Sequence, residues 1–131
     1  MSDTYKLFLL LHIAAIVVAF APVVVGAVAL APGGRRASVP QLSDTGRLVY
    51  SGGLILAGLF GILCIVTSED VWAFDQTWIS LAFVVWIAMN GVFHAMIFPR
   101  RGGGDRAQLG LAIMDILLLV MLYLMIWKPG L

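Results

Sequence analysis

Four long apolar runs alternate with three short polar segments along the 131 residues of the chain. The runs cover 7–31, 48–67, 77–98 and 107–127. Each has about the 20 residues that a helix rising ~1.5 Å per residue needs to cross a hydrocarbon layer of ~30 Å. None alternates strictly between apolar and polar, as a barrel strand would. In lipid, a helix satisfies every main-chain N–H and C=O within its own segment. The pattern therefore predicts an all-α, four-helix transmembrane bundle forming a single domain over 1–131. The first run ends in Ala29-Leu30-Ala31, which imitates a signal-peptide cleavage site. It is longer than the ~7–15 apolar residues of a signal sequence, and Asp3 accompanies Lys6 ahead of it, so it is read as a retained helix.

Composition agrees with this picture. Hydrophobic residues make up 62% of the chain and charged residues 11%, against roughly 25% charged in a soluble domain. A chain this short cannot hide so much apolar surface in its own core, so the lipid bilayer is the first partner. The net charge of +1 gives no footprint for nucleic acid. The single cysteine, Cys64, lies within an apolar run and reads as a small hydrophobe.

The placement of charge says more than its sum. Loop one, from Pro32 to Gly46, holds Arg35 and Arg36, with Arg47 at its end; loop three, from Pro99 to Arg106, holds Arg100, Arg101 and Arg106. Loop two, from Ser68 to Gln76, carries only Glu69, Asp70 and Asp75. Basic loops stay on the cytoplasmic side during insertion. Loops one and three are expected inside, and both termini on the outer side. Tyr5, Trp72, Trp78, Tyr123 and Trp127 then form an outer aromatic belt, with Tyr50 and Phe98 toward the inner one. Topology alone accounts for Arg35, Arg36, Arg100 and Arg101; contact with anionic lipid or an acidic partner is the functional alternative.

Packing signals are present in the second run, where Gly53, Ala57 and Gly61 recur every four residues. Such a stripe of small side chains lets two helix backbones approach closely.

Candidate chemistry rests on a few polar residues inside the spans. Asp115 is deep in the fourth, where a carboxylate costs roughly 2.5–3.5 kcal/mol on insertion scales, and should face the bundle interior or a partner. Asn90 and His94 share a face of the third helix, one turn apart. Asn90 and Asp115 both fall ~12 Å from the inner boundary and His94 ~6 Å from it, so the three are expected in one layer. They read either as an interhelical hydrogen-bond clamp or as a proton-handling or ligand site. His12 is the other candidate, as a possible haem b or metal ligand. It and His94 differ in depth by about 15–20 Å, too far apart for both to hold one iron. There is no phosphate-binding glycine loop, nucleophile elbow or zinc-helix signature, and no metal site or enzymatic activity is expected.

Leu10-Leu11-His12-Ile13 followed by small residues, Gly53-Leu54-Ile55-Leu56 with Gly58 and Gly61 following, and Trp78 opening the third helix together resemble a family of four-helix bacterial membrane proteins. That family is distantly similar to the membrane domain of copper-resistance protein D. The resemblance implies a multi-pass protein of the bacterial inner membrane and copper or haem handling at His12. Its members carry Trp-x-Gly about a turn after the histidine, where this chain has Ile16-Val17-Val18-Ala19-Phe20-Ala21. With so little sequence outside the spans there is little surface for soluble chemistry, and the expectation is a structural or accessory subunit that packs with other membrane subunits or with itself. The alternative is a small transporter, channel or metal- or haem-handling protein built on Asn90, His94 and Asp115.

Overall fold

A computed structural model describes residues 2–29, 44–99 and 104–130. These residues form four helices, α1 (Asp3–Ala29), α2 (Asp44–Val66), α3 (Thr77–Val92, continued by a π-helical turn at Phe93–Ile97) and α4 (Gly104–Trp127), and no strand among them. All four are long and apolar enough to cross a membrane. Three begin about a turn before the apolar runs do. The added turns of α1 and α2 contain Asp3 with Lys6, 3.0 Å apart, and Asp44 with Arg47, 3.5 Å apart. An acidic side chain in the first turn opposes the positive end of the helix dipole, so the helix starts in polar sequence that hydropathy alone assigns to a loop. Arg35, Arg36, Arg100 and Arg101 lie outside the described residues.

The helices pack in chain order. Among the described residues no Cα of α1 comes within 8 Å of α3 or α4, and none of α4 within 8 Å of α2. At each of the three successive helix pairs a glycine sets the approach. A Cβ on Gly53 of α2 would fall 2.6 Å from Cβ and 2.7 Å from Cα of Ala19 in α1. A Cβ on Gly58 would enter the Trp86 indole of α3. A Cβ on Gly110 of α4 would lie 2.9 Å from Met96 Cβ and 3.0 Å from Ile97 Cγ1. Lipid is as apolar as leucine, so helices gain little from burying apolar surface against each other, and close fit of this kind takes over.

The core draws on all four helices: Ala19, Tyr50, Leu54, Met89, Phe93, Ile97, Leu111 and Met114. It sits in the half of the bundle toward loops one and three. Tyr50 is fully buried there, with its ring stacked on Phe93 at 4.8 Å and tilted against Phe20 at 5.0 Å. The ring fills the core because Ala19 and Gly53 leave α2 close to α1.

The opposite end is held by polar and aromatic contacts. Ser68, nearly buried, accepts from the Trp72 N–H and donates to the Ile65 carbonyl, closing loop two. Glu69 and Asp70 take left-handed backbone angles in this turn. Trp72 Nε1 donates to the Tyr5 hydroxyl at 3.1 Å, and the Trp72 and Trp78 rings meet edge to face at 5.3 Å. The Lys128 ammonium lies 4.0 Å from the Trp72 ring centre and 5.6 Å from that of Trp78. α1, loop two, α3 and the end of α4 are thereby fastened together, the cation–π contact contributing about 0.5–2 kcal/mol.

Replacing Gly53 by Ala is expected to cost about 1–3 kcal/mol through overpacking against Ala19. Gly52→Ala, where nothing lies within 4 Å of the added carbon, is the control and should be neutral or mildly stabilising. Thermal unfolding of both variants in detergent micelles, followed by circular dichroism, measures the difference.

A polar layer as the candidate functional site

Three hydrogen bonds from polar side chains inside the spans join one described helix to another. His12 of α1 is buried, and its Nδ1 lies 2.6 Å from the carbonyl oxygen of Ala57 in α2. A carbonyl only accepts, so Nδ1 carries the proton. The ring fits because position 61 is glycine: a Cβ there would meet Cε1 at 3.3 Å. Gly53, Ala57 and Gly61 thus all face α1, against Ala19 and His12. Trp86 of α3 donates from Nε1 to the Leu54 carbonyl of α2 at 2.8 Å. Ser51 of α2 and His94 of α3 are joined Oγ to Nε2 at 3.1 Å.

The π-helical turn shapes the surroundings of His94. It shifts the main-chain bonding register at the end of α3, and Phe98 N–H reaches back to the Phe93 carbonyl. The Asn90 carbonyl accepts from the Phe93 N–H and, at 2.8 Å, from His94 Nδ1. Nδ1 therefore holds the proton, leaving Nε2 to accept from the Ser51 hydroxyl. The Asn90 side chain donates to the Trp86 carbonyl at 2.9 Å. Short polar residues in membrane helices commonly bond their own helix in this way.

Asp115 stands apart. Gly110 packs beside Met96 and Ile97. With that register, Asp115 lies ~7–8 Å further from the loop-three end and His94 ~3–5 Å further, so they share a layer. No hydrogen bond or ion pair among the described residues engages Asp115, whether with Asn90, His94 or any other group. The residue is exposed, on the outward side of α4. Its carboxylate is within electrostatic reach of the Tyr50 hydroxyl. That hydroxyl is buried and has no hydrogen-bond partner among the described residues. His94 therefore serves the α2–α3 contact, Asn90 is bonded within α3, and Asp115 takes part in neither.

No group of three His, Cys, Asp or Glu side chains converges among the described residues. His12 is wedged between α1 and α2, and His94 points to Ser51. Their partners on α2, Ala57 and Ser51, are about 9 Å apart along that helix. Two imidazoles so separated and so engaged do not meet at one iron. The hydroxyl–imidazole pair of Ser51 and His94 joins α2 to α3.

Tyr50, Ser51, Trp86, Gly58 and Gly110 were not singled out as site or packing residues in the sequence. Trp86 carried a usable signal, since an indole in mid-span has an N–H that must find an acceptor. Comparisons with protein-family models, with curated proteins and with solved structures find no match.

Trp86→Phe keeps most of the ring and removes the bond to Leu54. It is expected to lower stability by about 0.5–1.5 kcal/mol, read as a lower midpoint in a denaturing-detergent titration.

Proposed function

We propose that this chain is an accessory subunit of the bacterial inner membrane that packs laterally within a larger membrane assembly. The observation that carries this reading is Asp115, exposed in mid-helix on α4 and without a partner among the described residues. A carboxylate facing lipid at that depth costs roughly 2.5–3.5 kcal/mol. A neighbouring protein that covers it removes this cost, whereas a transport route through the bundle would call for Asp115 inside. His12, Trp86 and the Ser51–His94 pair are engaged in joining helices, which supports a packing role over turnover. His12, bonded to Ala57, supports the same view, where the resemblance to the copper-resistance membrane domain would make it a ligand.

Orientation follows from charge. Loops one and three hold six of the eight basic residues once Arg47 and Arg106 at their ends are counted, which supports a cytosolic place for both and an outer place for both termini.

Two measurements test this reading. Purification in mild detergent followed by intact-complex mass spectrometry and an absorption spectrum should find the 14.1 kDa chain in a larger assembly without a haem band. A chain that leaves its native membrane in mild detergent with no other polypeptide and no second copy bound overturns the subunit reading. For sidedness, single cysteines at Glu69 and Ser38 should react with a membrane-impermeant maleimide from outside only at position 69. Cys64 is buried and gives little background. Labelling at position 38 alone reverses the orientation.

A further inference from the structure

Resting on the subunit reading, we infer that the Asp115 face of α4 docks a transmembrane helix of a different polypeptide that carries a lysine or arginine at the same depth. Two observations converge on this face. Asp115 presents a carboxylate outward, about 17 Å from either end of α4. The Tyr50 hydroxyl, on a fully buried residue, lies within electrostatic reach of that carboxylate and has no hydrogen-bond partner among the described residues. The group accessible from outside is the carboxylate, which when ionised only accepts. An ammonium brings three N–H donors and a guanidinium five, and both carry the opposite charge, so a basic side chain satisfies the Asp115 carboxylate where a second carboxylate or a carbonyl does not.

The depth excludes lipid as the source of the cation. A headgroup amine stays at the interface, whereas a side chain on a neighbouring helix is delivered at the required level. A second copy of this chain is no better placed. Of its eight basic residues, Lys6, Arg47, Arg106 and Lys128 stand at or next to helix ends, and Arg35, Arg36, Arg100 and Arg101 fall outside the four apolar runs of the sequence. Its histidines are committed, His12 to Ala57 and His94 to Ser51 and Asn90. The cation therefore comes from another protein. Ala112, exposed about one turn from Asp115, leaves room for a helix to approach closely at this point.

The test uses the full-length protein in phosphatidylcholine–phosphatidylglycerol vesicles with labelled 23-residue leucine–alanine transmembrane peptides. One peptide has a central lysine, one a central aspartate and one a central leucine. Association is read by energy transfer from protein to peptide. The wild-type protein is expected to bind the lysine peptide about tenfold more tightly than the leucine peptide, in line with ~1–2 kcal/mol for polar contacts between membrane helices. Asp115→Asn should abolish that preference, and Asp115→Lys should transfer it to the aspartate peptide. The last variant is a gain of binding, which a misfolded protein would not give. Equal binding of lysine and leucine peptides to the wild type, or full retention of the preference in Asp115→Asn, overturns the inference. Energy transfer between copies of the protein separates the two failures. Strong self-association with no lysine preference leaves the subunit reading standing, and neither form of association removes both.

Discussion

Close contact between helix backbones at glycine is the constraint on which this structure depends. In water a four-helix bundle is driven together by the burial of apolar side chains. In lipid that drive is nearly absent, and helices associate where their surfaces fit and where polar groups meet across the gap. Gly53, Gly58 and Gly110 each remove a side chain at one helix pair, and a large or rigid neighbour fills the room: the Ala19 backbone, the Trp86 ring, and Met96 with Ile97. Tyr50 and Phe93 stack in the space that these approaches enclose. The glycines therefore set the register of the bundle, and the aromatic core follows from it.

Hydrogen bonds supply the second half of the fit, and their placement follows the glycines. Gly61 admits the His12 ring, whose Nδ1 then reaches the Ala57 carbonyl. Gly58 admits the Trp86 indole, whose Nε1 reaches the Leu54 carbonyl. Both acceptors are main-chain carbonyls already bonded within α2, and each uses its second lone pair for the neighbouring helix. A donor in hydrocarbon thus finds a partner without a second polar side chain having to be buried. Each such pairing adds on the order of 1 kcal/mol, and several in one small bundle amount to a large part of its cohesion.

The spans were legible from the sequence because lipid imposes a length and an apolar composition that few other environments demand. The ends of α1 and α2 were less so, since Asp3 and Asp44 enter the helices as dipole-compensating first turns. The Gly53, Ala57 and Gly61 stripe was readable because its period matches the helix. The rotation of α4 was not. Leu111, Met114 and Leu124 face inward, while Ile116, Leu119, Leu122 and Ile126 face out. Both faces are equally apolar, so the pattern of residue types holds no direction. Asp115 was the single mark on this helix, and it reads equally as interior or as contact with a partner. The π-helical turn at Phe93–Ile97 left no trace in composition, yet it governs where His94 points.

The way α4 is held bears on what Asp115 can do. Near its start, Gly110 locks against Met96 and Ile97. Past its end, Lys128 lies over Trp72 and Trp78, and Gly130, at a positive φ that favours glycine, meets Thr77. Between these anchors the inward side packs Leu111 and Met114 into the core, and the outward side meets no other helix among the described residues. Anchored at both ends, α4 presents its carboxylate at a fixed depth and azimuth. Binding to a rigid surface loses less conformational freedom than binding to a mobile one, so more of each contact's energy appears as affinity. A carboxylate on a loose helix could turn inward or slide toward the headgroups to escape the hydrocarbon. On this one it has neither escape, and the cost of its exposure becomes a driving force for association with whatever neutralises it.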